Sequence, residues 1–131
     1  MEKMSGVGTG ESYCRIKLAI RVEANNTPVT QIEAAMFARY AWKKTKGTDE
    51  EVFIEFSERR TSNRWGTAWC RQRRLTLYRH SVAVFLHELA HLLCADREGH
   101  GPTFGAMLDN LYLLWNMDEG VAVRNLARRL S

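Results

Sequence analysis

Three residues at a fixed spacing could do chemistry in this chain: His87, Glu88 and His91, the His-Glu-x-x-His run HELAH. On a helix, residues four apart lie one above the other, so His87 and His91 can turn both imidazoles to one metal ion while Glu88 projects beside them. A zinc ion held by neutral imidazoles keeps a position for water and lowers its pKa to roughly 7, where a neighbouring carboxylate can take the proton. The run lies among Val82, Val84, Phe85, Leu86, Leu89, Ala90, Leu92 and Leu93, where unpaired ionisable groups are costly to bury. The plainer alternative is a helix-surface His87–Glu88 pair with His91 as a hydrogen-bonded core histidine. That alternative leaves a third histidine, His100 in Gly99-His100-Gly101-Pro102, without a purpose.

Residues 96–104, DREGHGPTF, extend the pattern. Downstream of HELAH, this segment resembles that of the SprT-like (Spartan-type) zincin metallopeptidases, where it supplies the third zinc histidine. Gly66-Thr67-Ala68-Trp69-Cys70, Arg74-Leu75-Thr76-Leu77 and then residues 82–86 follow that family's order of two short strands leading into the active-site helix. The chain is similar, too, to small HExxH metallohydrolases of actinobacteria and their phages that carry an HGPxF segment. The resemblance covers about residues 52–110.

The resemblance implies that His87, His91 and His100 hold one Zn2+, that Glu88 is the catalytic base, and that peptide bonds are hydrolysed, with DNA-associated proteins among the substrates. Two departures stand out. The linker from His91 to His100 is shorter than that family's usual spacing, and no cysteine-rich zinc ribbon follows. A metzincin would carry its third histidine where Arg97 stands, and a gluzincin would use a downstream acid such as Asp118 or Glu119; His100 is preferred to either. Asp96 or Glu98 would serve as the carboxylate behind a ligating histidine. Tyr78, His80, Arg97 and Tyr112 are candidate donors to an oxyanion. Cys94, one turn beyond His91, is expected to be a small buried hydrophobe rather than a ligand.

The elements that must position these residues follow from periodicity. Residues 13–23 alternate, with Ile16, Leu18, Ile20 and Val22 on one side, as a half-buried strand does. Thr30 and Glu33 make a capping box, after which Ile32, Met36 and Tyr40 recur at helical spacing up to Lys46 and Gly47. Lys43, Lys44 and Lys46 complement the helix dipole as a solvated end. Residues 51–57 form a strand with Val52, Ile54 and Phe56 facing one way; because a helix separates it from the first strand, the two can be parallel neighbours in a right-handed crossover. Two short strands follow near 67–71 and 74–79; the second is the candidate sheet edge, and the resemblance to zincins implies that a peptide adds along such an edge. Proline at 102 suits a helix start, and Phe104, Met107, Leu108, Leu111, Leu114 and Trp115 should pack that helix on the HELAH helix. A last helix, capped by Asn116 or Asp118, bears Val121, Val123, Leu126 and Leu130, with Arg128 and Arg129 at a solvated end. The expected fold is therefore α+β: a small mixed β-sheet on an N-terminal helix and a central HExxH helix, with C-terminal helices, which the resemblance implies is one zincin-like domain.

With 131 residues, 45% of them hydrophobic, the chain is long enough for one core and short for two. A flexible tail is expected over 1–12 and a single domain over 13–131. No apolar signal-like core occurs near the N-terminus and no run reaches membrane length. Cys14, Cys70 and Cys94 are odd in number and form no CxxC pair, which suits reduced thiols. A cytoplasmic protein is expected, or one in the host cytoplasm if phage-encoded, with no membrane partner. Sequence is silent on oligomeric state.

The net charge of +4 leaves room for an acidic partner. Between 59 and 80 stand seven arginines (Arg59, Arg60, Arg64, Arg71, Arg73, Arg74, Arg79), no acid, and the aromatics Trp65, Trp69 and Tyr78. Cations interleaved with aromatics can contact phosphates and stack on bases. Arg71, Arg73, Arg74, Trp69 and Tyr78 are thus candidates for binding nucleic acid or substrate; a sheet with a basic outer face and core tryptophans is the alternative. Two functions follow: a zinc metallopeptidase acting on peptide or protein, or a non-enzymatic nucleic-acid-binding module with a structural zinc.

Overall fold

The computed structural model describes residues 24, 26–58, 65–94 and 101–130. The expected tail at 1–12 and strand at 13–23 lie outside the described residues, as does its pairing with the next strand.

Helix α1, Gln31–Lys46, begins at the expected capping box. Thr30 Oγ1 accepts from the Glu33 N–H at 3.1 Å, and Glu33 Oε1 accepts from the Thr30 N–H at 3.0 Å. Gly47, at φ 81°, ends the helix and donates its N–H to the Lys43 carbonyl; glycine takes this left-handed conformation without a Cβ penalty. The buried stripe is Ala34, Phe37, Ala38 and Ala41, one step round the helix from the expected Ile32, Met36 and Tyr40. Three alanines let neighbouring elements come close, and Phe37 fills the gap by packing edge-on against Phe85 and Trp115 at 6.1 and 4.8 Å. Ile32 is left 37% exposed.

The sheet has strands β1 (Phe53–Phe56), β2 (Gly66–Trp69) and β3 (Arg74–Leu77) in the order β1-β3-β2. β1 pairs parallel with β3 and β2 pairs antiparallel with it, so the sheet is mixed. This corrects the expected edge. The strand at 74–77 is central, its Leu75, Thr76 and Leu77 all buried, because it is the one with partners on both sides. Among the described residues, β1 and β2 are the edges. Val52 is buried and Ile54 and Phe56 half-buried, the inward face expected for that strand.

Helix α2, Val82–Cys94, carries HELAH. Ser81 caps it, its Oγ accepting from the Val84 N–H at 3.3 Å. Backbone bonds from Val29 to His80 and from Val82 to Thr27 anchor this start to the chain ahead of α1. Helix α3, Pro102–Asn116, has proline in its first turn and packs on α2 through buried Phe104, Leu108, Leu111 and Trp115. Helix α4, Asp118–Leu130, packs on α1, with Gly120 and Ala127 its buried residues. Of the apolar residues named for it, Val121 and Val123 are half-buried, whereas Leu126 and Leu130 are 45% and 63% exposed. Arg128 is not merely a solvated end, since its Nε donates to Glu33 Oε2 at 3.0 Å. Glu33, 3% exposed, needs that partner because a carboxylate out of water is costly unless hydrogen-bonded.

The described residues thus make one small α+β domain of four helices and a three-stranded mixed sheet. No helix among them is long and apolar enough to cross a membrane.

Candidate metal centre

Helix periodicity brings His87 and His91 to one side of α2, with ring centroids 4.9 Å apart and planes at 74°. Zinc–nitrogen bonds of about 2.0–2.1 Å at a tetrahedral angle leave two ligating imidazole centroids about 5 Å apart, so the pair fits a shared ion. The donor chemistry fits as well, two imidazoles suiting zinc. His100, with Asp96, Arg97 and Glu98, lies outside the described residues. Among the described residues no group of three His, Cys, Asp or Glu side chains converges.

Phe104, from the first turn of α3, packs against both rings, with centroids 5.0 Å from His87 and 4.4 Å from His91. It is 5% exposed, so it forms an apolar wall against the two half-buried rings. Sequence reasoning placed Phe104 only in the helix core. The HGPxF segment was the available signal.

Glu88 is 9% exposed and lies under strand β2, whose first residue is Gly66. Burial raises its carboxyl to about 7, because removing the ionised form from water is unfavourable. Gly66 was missed as a site residue, although a glycine within a strand often marks a close approach.

The two described cysteines, Cys70 and Cys94, form no group of three metal-binding side chains with the histidines. Cys94 is half-buried, with Sγ 3.6 Å from the Thr103 carbonyl, and Cys70 Sγ lies 3.7 Å from the His91 carbonyl. Glu119, the alternative acid, is engaged by Tyr40 Oη at 3.1 Å and Lys44 Nζ at 2.9 Å. His80 stacks on Phe56 at 4.2 Å, with Nε2 3.2 Å from the Ser57 carbonyl. Both groups therefore have structural partners. Tyr78 is half-buried just beyond β3.

Of the basic stretch, Arg59, Arg60 and Arg64 lie outside the described residues. Arg73 clamps the β2–β3 connection to the chain before β1, with Nε donating to the Glu51 carbonyl at 3.1 Å and Nη2 3.6 Å from Glu50. Arg74 lies over Trp69 and Arg79 over Trp65, at 5.2 and 3.9 Å from the ring centroids. The indole N–H of Trp69 donates to Thr76 Oγ1. Trp65 and Trp69, 43% and 39% exposed, are not core, but arginine neighbours already occupy space over their rings. Arg71 is exposed in the 3-10 turn Cys70–Gln72.

No known family model matches the chain, and no curated protein or solved structure matches it either.

Proposed function

We propose that the chain is a zinc-dependent metallopeptidase of zincin-like arrangement, in which Glu88 is the catalytic base and His87, His91 and His100 hold one Zn2+. The observation that carries the reading is the pair of imidazoles 4.9 Å apart on one helix, with a buried carboxylate on the adjoining residue. His100 enters through the resemblance of its segment. When bound, zinc would supply polarisation of the scissile carbonyl and acidification of water. Glu88 takes the proton of the attacking water on its carboxylate and hands it to the leaving nitrogen. Phe104 keeps the two rings oriented and water off their apolar side.

An extended peptide is taken up on the edge strand β2. The Trp65 carbonyl accepts from the N–H of Tyr78, the residue just past β3, which sets the hydrogen-bonding parity of the ladder. Antiparallel alternation then turns the N–H and C=O of Gly66 and Ala68 away from β3, toward the open edge of the described sheet. Strand addition to those groups would lay the peptide beside α2.

A structural zinc in a nucleic-acid module gives Glu88 no task, and a buried carboxyl kept beside the histidines is then unexplained. The test is metal content and casein hydrolysis of the zinc-loaded chain. Glu88→Gln should keep one zinc per chain and lose roughly 100- to 10,000-fold in turnover. A Glu88→Gln variant that hydrolyses casein like the parent, or a parent that takes up no zinc, removes the proposal.

A further inference from the structure

Strand β2 closes down on Glu88 at one residue. A Cβ on Gly66 would stand 2.7 Å from Glu88 Cγ, 3.1 Å from Val84 Cγ1 and 3.2 Å from Glu88 Cδ. Unbonded carbons rest at about 3.5–4.0 Å, so a side chain at 66 and the present position of Glu88 exclude one another. Backbone conformation does not call for glycine here: Gly66 is a strand residue, and Gly47 is the described glycine with positive φ. In a strand, glycine is unfavourable by roughly 0.5–1 kcal/mol relative to alanine. What it offers in return is room, and the atoms that use most of that room belong to Glu88.

We propose that Gly66 is the positioning residue for the catalytic base: its missing side chain lets the Glu88 carboxylate lie beneath the open edge of β2. The proposal rests on the metallopeptidase reading. The same residue turns its backbone N–H and C=O to that edge, so one position sets both the seat of the peptide and the space for the group that acts on it. A methyl group at 66 must push Glu88 aside by several tenths of an ångström to one ångström. Displacements of about that size cost roughly 100-fold in rate where geometry carries the chemistry.

The experiment is a double-mutant cycle of Gly66→Ala and Glu88→Ala in the full chain, with Gly105→Ala as control, since a Cβ at 105 meets nothing within 4 Å. With zinc loaded, Gly66→Ala should keep one zinc per chain, lower kcat on casein about 100-fold and leave KM within about twofold. Gly105→Ala should leave kcat unchanged. Without metal, Gly66→Ala should lower the thermal midpoint by about 3–10 °C when Glu88 is present, and by less than half of that when residue 88 is alanine. If Gly66→Ala fails to fold, the double variant must fold. An unchanged kcat, an equal loss of midpoint in both backgrounds, or a double variant that also fails to fold overturns the proposal. A parent chain that neither holds zinc nor cleaves casein refutes the metallopeptidase reading and the positioning role with it, while the metal-free cycle still decides whether Glu88 fills the space at 66.

Discussion

Replacing Glu88 by glutamine is expected to make the metal-free protein more stable at alkaline pH while abolishing hydrolysis. Burial holds the carboxyl at about 7 against an ordinary 4.5, so the folded chain binds this proton more tightly than the unfolded chain does. The stabilisation is fully present below the unfolded value, is lost as pH rises through the folded value, and changes no further above it. The gap, 7 minus 4.5, is about 2.5 units, which at 1.36 kcal/mol per unit is about 3 kcal/mol. Between pH 5 and 8 the same two values give a change of about 2.5 kcal/mol.

Glutamine carries no charge and removes this slope. Its amide needs partners in the same space and takes back about 1 kcal/mol. At pH 8 the variant should therefore be more stable by about 2 kcal/mol, whereas at pH 5 the two should nearly coincide. Urea unfolding of chelator-treated protein, followed by tryptophan fluorescence at both pH values, measures the difference, provided the slopes against urea agree. Parallel pH dependence in parent and variant would refute the burial argument. A variant less stable at pH 8 would show the carboxylate supporting the fold, contrary to a group kept for chemistry.

Phe104→Leu keeps an apolar side chain but removes the ring packed against both histidines; zinc affinity, measured by chelator competition, should fall about 10- to 100-fold, and an unchanged affinity would show that the wall does not orient the rings. Arg128→Ala strips the buried Glu33 of its partner on α4, and since Arg128 is itself 58% exposed the cost should be modest, about 1 kcal/mol in urea unfolding. Glu33→Gln in that background should recover part of it; no recovery would mean the arginine acts through packing alone.

The α1 capping box, the glycine that ends that helix, the α2 run and the proline start of α3 were all legible in the residues, because each depends on chemistry within a few positions. The same holds for His87, Glu88 and His91, whose juxtaposition follows from the helical repeat. The strand that contacts Glu88 was not legible: residues 74–79 read as the edge, whereas β3 is central and β2 is one of the two edges among the described strands. Strand order depends on which backbones meet across the sheet, and alternation along one strand carries no record of that. The partners of Arg73 were not legible for a related reason, since it finds its carbonyl and carboxylate on the chain before β1, more than twenty residues earlier.

Sequence by itself determined the spacing of His87, Glu88 and His91 on a helix and the local signals that start and stop α1 and start α3, since short-range backbone geometry enforces these. Tertiary structure alone decided that Phe104 walls the histidines, that Gly66 makes room for Glu88, and that α4 is held by Ala127 and the Arg128–Glu33 pair rather than by its leucines. Those outcomes depend on how closely separate elements can approach. The volume at each contact is set jointly by residues distant in the chain.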